Sequence, residues 1–148
     1  MTLGVATPGG TNSYAFAYAP AGSGVETGNL TGVSVSFANG ATAQETFAHE
    51  IHGRTTQVTE TVGSLTLSTS YSYYAGGKLA TMTYPSGMQL SYTLDTAGRV
   101  SQVNANGVPL VHHITYQPFG PMKGWVGSKN VTPPNAVVGV APSTRTDG

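Results

Sequence analysis

Glycine or proline interrupts most windows of this chain, and no stretch sustains apolar residues at i, i+3, i+4 and i+7. Helix is therefore nearly excluded, and alternation takes its place. In residues 88–94 (MQLSYTL), Met88, Leu90, Tyr92 and Leu94 fall on one side of an extended chain, opposite Gln89, Ser91 and Thr93. In residues 64–73 (SLTLSTSYSY), Leu65, Leu67, Thr69, Tyr71 and Tyr73 fall opposite a run of Ser and Thr. Each pattern predicts a strand with one covered and one wet face. Further strands are predicted over 13–18, 32–37, 44–47, 55–61, 79–84, 99–103 and 108–116. The fold class is all-β. Its expected covered side carries Leu65, Leu67, Tyr71, Leu79, Met82, Tyr84, Met88, Leu90 and Tyr92.

The connections are short and chemically suited to hairpins. Pro85-Ser86-Gly87 and Thr96-Ala97-Gly98 each supply a glycine for positive φ. Asn106-Gly107 is the strongest short hairpin signal in the chain. Aligned on glycine, three segments superimpose: FAHEIHGRT (47–55), YSYYAGGKL (71–79) and YTLDTAGRV (92–100). Each places an aromatic six residues before the glycine (Phe47, Tyr71, Tyr92) and a base directly after it (Arg54, Lys78, Arg99). Glu50, Tyr74 and Asp95 hold the middle position, and the glycines are Gly53, Gly77 and Gly98. Intervals of 24 and 21 residues leave room for two strands and two turns, so one hairpin recurs per beat. Antiparallel hairpin repeats forming a continuous twisted sheet are the predicted architecture. An acid at the middle position can accept backbone N–H bonds within its own turn, and the base can pair with an acid nearby.

At these residues the chain resembles the bacterial RHS, or YD-repeat, family. Tyr92, Asp95, Gly98 and Arg99 match its tyrosine–acid–glycine–arginine motif, Tyr84-Pro85-Ser86-Gly87 looks like a turn that precedes such repeats, and residues 114–125 (ITYQPFGPMKGW) resemble a recurrent segment. The likeness covers residues 33–125. The first beat departs from it at Phe47 and Glu50, and the second at Tyr74 and Lys78. The resemblance implies a shell segment or solenoid of a toxin or cell-surface protein, secreted or displayed as part of a larger system. It implies a structural role without catalysis, with partners that are other repeats or an enclosed toxin domain of a parent chain. The organisation follows: a Gly/Ala-rich segment over 1–30, partly strand; repeats over 31–125; and an extended or mobile tail over 126–148. Sheet edges left open by so few repeats invite self-association.

Composition closes off other classes. Charged residues are 8% of the chain, and six basic residues balance six acidic ones. Nucleic-acid binding needs clustered Lys and Arg, so it is not expected. No apolar run reaches the ~20 residues of a spanning helix, and the first residues, MTLGVATPGG, lack the features of a signal peptide. The chain has no cysteine, so disulfides and thiolate metal sites are excluded.

Three chemistries compete with the structural one. His49, His52 and His112 supply imidazoles, but HEIH has neither the spacing nor the helical setting of a zinc protease, so no metal or other cofactor is expected. No nucleophile elbow accompanies the serines, so no residue is assigned a catalytic role. The tyrosines are the better lead. Tyr71, Tyr73, Tyr84, Tyr92, Tyr116 and Trp125 form a possible glycan face, and carbohydrate or surface binding is the alternative function. Aromatics at period two are otherwise cross-strand packing.

Overall fold

The computed structural model describes residues 1–22 and 27–128. They form no helix and eleven strands: β1 (Thr2–Thr7), β2 (Gly10–Tyr18), β3 (Leu30–Ser36), β4 (Thr42–His49), β5 (Thr55–Val62), β6 (Leu65–Tyr73), β7 (Leu79–Thr83), β8 (Gln89–Leu94), β9 (Val100–Ala105), β10 (Val108–Tyr116) and β11 (Met122–Gly127). The all-β, antiparallel expectation holds. No helix among the described residues is long and apolar enough to cross a membrane.

The chain divides into two compact units, Met1–Met88 and a second that begins at Gln89. In the first, β1 to β7 follow sequence order, each strand antiparallel to the one before it. In the second, β8 to β11 do the same. The strands at the two extremes, β1 and β11, escape the period-two pattern because glycine interrupts both. Val126 and Gly127 belong to β11, and the rest of the expected tail, 129–148, lies outside the described residues.

Register sorts the first unit into two unlike faces. Leu3, Tyr14, Val35, Ala43, Val62 and Leu65 stand opposite one another in turn across β1 to β6. The adjoining row on that face runs Phe16, Val33, Glu45, Glu60 and Leu67. The other face reads Ala15, Ser34, Gln44, Thr61, Thr66 in one row and Ala17, Gly32, Thr46, Thr59, Ser68 in the next. Hydroxyls join there across strands, Thr59 to Ser68 at 3.1 Å and Ser72 to Thr81 at 2.6 Å. The second unit repeats the division. Tyr92 opposes Val103 on one face, while Asn104 donates to Ser91 at 3.3 Å on the other.

The expected burial does not follow. Ala19 is the one buried apolar residue among those described, while Leu65 and Leu67, expected in the core, are 59% and 40% exposed. Tyr71, Leu79, Met82, Tyr84, Met88, Leu90 and Tyr92 are only half-buried. Alternation specifies which side chains share a face. It does not supply the second layer that would cover them.

Candidate functional site

One turn recurs along both units. The N–H of a first residue donates to the carbonyl four positions on, and the N–H of a glycine three positions on donates back to the first residue's carbonyl. The first residues are Phe37, Glu50, Tyr74, Tyr84 and Asp95, and the glycines are Gly40, Gly53, Gly77, Gly87 and Gly98. For the Asp95 turn the two bonds are 2.7 and 2.8 Å, and for the Tyr74 turn both are 2.8 Å. These glycines have φ between 73° and 84°, where a Cβ is strained, and that is why glycine marks the beat. The Gln117 turn closes the same way with bonds of 3.1 Å, but there Phe119 takes positive φ, at 55°.

The chain thus places Gly53, Gly77 and Gly98 in equivalent turns, with Glu50, Tyr74 and Asp95 in equivalent first positions. It adds Phe37 and Tyr84 to the set. A search for an aromatic or acid three residues before glycine finds them all; requiring the base as well conceals two. Strand register slips by one residue on entering the motif turns, between Ala48 and His49, Ser72 and Tyr73, and Thr93 and Leu94. That slip is the bulge a glycine in the left-handed region produces.

The two acids use their turns differently. Asp95 Oδ1 accepts the N–H groups of Ala97 and Arg99 at 2.9 and 2.8 Å, and its Oδ2 lies 2.8 Å from Arg99 Nη2. The Arg99 backbone N–H, then its guanidinium and the Ala97 N–H, hold the Asp95 carboxyl below its ordinary range. Glu50 makes no such backbone bond within its turn. Its Oε1 pairs with Arg54 Nε, and its Oε2 sits 3.5 Å from His52 Nδ1. The Arg54 hydrogen bond is the main cause that lowers Glu50, and Glu50 in return raises Arg54.

Each arginine also lies over a tyrosine. The Arg54 guanidinium is 5.0 Å from the Tyr73 ring centre, and the Arg99 guanidinium is 4.4 Å from that of Tyr116. The same tyrosines donate back to the strand that follows their arginine: Tyr73 to the Thr55 carbonyl at 2.6 Å, and Tyr116 to the Val100 carbonyl at 2.8 Å. Acid, arginine, tyrosine and carbonyl therefore form one clamp, found once among the described residues of each unit. Both tyrosines stand immediately before the next turn, four residues ahead of Gly77 and Gly120.

His49 stands four before Gly53, in the same place, and behaves the same way. Its Nε2 donates to the Leu30 carbonyl at 2.7 Å, and its Nδ1 is 3.4 Å from the Thr55 hydroxyl. Leu94 fills that position before Gly98 and cannot do this. The aromatics six before glycine, Phe47, Tyr71 and Tyr92, stand out in the sequence, but the position that straps a strand to its predecessor lies four before glycine. The strap position is legible once Tyr73, Tyr116 and His49 are aligned on the turn.

The remaining candidates scatter. Tyr71 opposes Met82 and Tyr73 opposes Leu79 in strand register. Tyr84 opens a turn, Tyr92 opposes Val103, Tyr116 opposes Met122, and Trp125 is 52% exposed on β11. Lys78 follows Gly77 as Arg54 follows Gly53. His52 is exposed, and no group of three or more His, Asp or Glu able to hold a metal occurs among the described residues. No protein-family model and no curated protein matches this chain.

Proposed function

We propose that the chain is a structural β-repeat segment, similar to the shell wall of RHS and YD-repeat proteins, that associates with copies of itself or with neighbouring repeats through its sheet edges. It has no catalysis of its own. Its place is in a secreted or surface-displayed system, as wall around a parent chain's toxin domain. The observation that carries this is the missing core. A clamp and a turn are repeated, yet among the described residues of its unit nothing lies over the face of Leu3, Tyr14, Val35, Val62 and Leu65. Such a face gains its roughly 25 cal/mol per Å² only when something covers it.

The edge is equally available. Met1 and Phe16 exchange both backbone bonds, at 3.1 and 2.8 Å. Alternation then turns the N–H and C=O groups of Thr2, Gly4 and Ala6 away from β2, on a strand exposed along its whole length. Light scattering behind size-exclusion chromatography, over a concentration series, tests the proposal. Association is expected, and Ala6→Pro should abolish it while leaving far-UV circular dichroism unchanged, because that N–H serves no bond to β2. A monomer at every concentration, or association indifferent to Ala6→Pro, would overturn the edge-pairing account.

A further inference from the structure

Consecutive residues on a strand point to opposite faces, yet His112 and His113 meet. Their Nδ1 atoms are 2.6 Å apart and their ring centres 4.7 Å apart, inclined at 69°. The backbone explains how. His112 pairs with Val126 and Thr115 with Gly124, so His113 and Ile114 together oppose Trp125 alone. This is a bulge, the device that re-aims a side chain on a sheet. His113 absorbs it at φ 52°, a left-handed conformation that non-glycine residues adopt only when their surroundings impose it. Neither the repeated turn nor the clamp uses this pair.

From this geometry we propose that His112 and His113 form a chelating site for a divalent transition-metal cation, best suited to Cu²⁺. At 2.6 Å one Nδ1 carries the proton that the other accepts, and a cation takes that proton's place between them. With metal–nitrogen bonds of about 2.0 Å, two nitrogens at right angles lie about 2.8 Å apart and two at the tetrahedral angle about 3.3 Å. The smaller opening from 2.6 Å is the right-angled one, and square-planar or tetragonal coordination by imidazole is the preference of Cu²⁺ and Ni²⁺. Rotation of the exposed His113 ring supplies the opening, and water completes the coordination. Affinity should then follow Cu²⁺ above Ni²⁺ and Zn²⁺.

The chain carries its own reporter. Trp125 is its single tryptophan and stands opposite the bulge. Tag-free protein titrated with Cu²⁺ in a non-coordinating buffer should lose Trp125 fluorescence with saturation at one equivalent. Electron paramagnetic resonance of that complex should show coupling to two imidazole nitrogens. His112→Gln and His113→Asn should each weaken binding by at least about 10- to 100-fold, the loss seen when even an outer partner of a ligand is removed. Asparagine tolerates the left-handed conformation at 113. His52→Gln should leave the titration unchanged. A wild-type spectrum without two-nitrogen coupling, binding that survives His112→Gln, or Zn²⁺ held more tightly than Cu²⁺ would each overturn the site. The wild-type spectrum decides even where a variant fails to fold.

Discussion

The clamp around Glu50 and the clamp around Asp95 are built on one turn, yet only the second has its acid inside the turn. One methylene makes the difference. Asp95 is short enough for Oδ1 to cap the N–H groups of Ala97 and Arg99 while Oδ2 meets the guanidinium. Glu50 meets Arg54 and His52, residues of its own turn, through side chains alone. The Phe37, Tyr74 and Tyr84 turns close with no acid at all. What is common to them is the backbone bond pair and the glycine; the acid is a local refinement that fixes where the arginine lies. The arginine in turn positions a tyrosine, and the tyrosine ties one strand to its predecessor.

The largest effects should therefore come from the shared part and be blind to the acid. Gly53→Ala and Gly98→Ala each force a Cβ into φ 78° or 73°, at about 1–2 kcal/mol. Denaturant unfolding should show similar losses for the two. A loss at Gly98 alone would mean that the capped Asp95 turn, and not the glycine, fixes the geometry.

The straps come next. Tyr73→Phe and Tyr116→Phe keep the ring beneath the arginine and remove only the bond to the Thr55 or Val100 carbonyl, about 0.5–1.5 kcal/mol each. Replacement by Leu should add about 0.5–1 kcal/mol for the lost guanidinium–ring contact. Equal costs at both sites would show that the clamp is a module indifferent to its acid. A Tyr73→Phe variant as stable as the wild type would remove the strap from the account of the first unit.

How the sequence exposes some of this and hides the rest has a physical basis. Strands such as β6, β8 and β10 are legible because side-chain direction alternates with period two whatever lies above the sheet. The turns at Gly53, Gly77 and Gly98 are legible because positive φ selects glycine. Burial at Leu65 was not, because it depends on a covering layer that alternation within the strand cannot report. The strap was hidden for another reason. A tyrosine beside a second tyrosine, as at 73 and 74, looks like one more aromatic until the Tyr73 hydroxyl is found bonded back to the Thr55 carbonyl. The meeting of His112 and His113 was the least legible, since adjacent residues share a face only where a bulge intervenes.

The smallest effect, and the one that separates the two clamps most cleanly, is the response to acid and salt. Both carboxyls are held below their ordinary values, 4.5 for Glu50 and 3.8 for Asp95. A depressed folded pKa contributes stability that is fully present above the unfolded value. It is lost as pH falls through the folded one. Both contributions should therefore be intact above about pH 5 and fade below about pH 4, Glu50 entering the window first if the two are depressed alike. The causes differ, however. Glu50 is lowered chiefly by its bond to the Arg54 side chain, an attraction between two charged groups that added salt screens. Asp95 is lowered first by the Arg99 backbone N–H, a fixed dipole at bonding distance that salt screens far less. Carboxyl-carbon NMR titrations in low and high NaCl should show Glu50 returning towards its ordinary value while Asp95 stays low. Asp95→Glu should convert the second clamp to the salt-sensitive behaviour of the first. If both carboxyls relax equally in salt, the backbone cap is not what distinguishes them, and the extra methylene of Glu50 has no consequence for the turn.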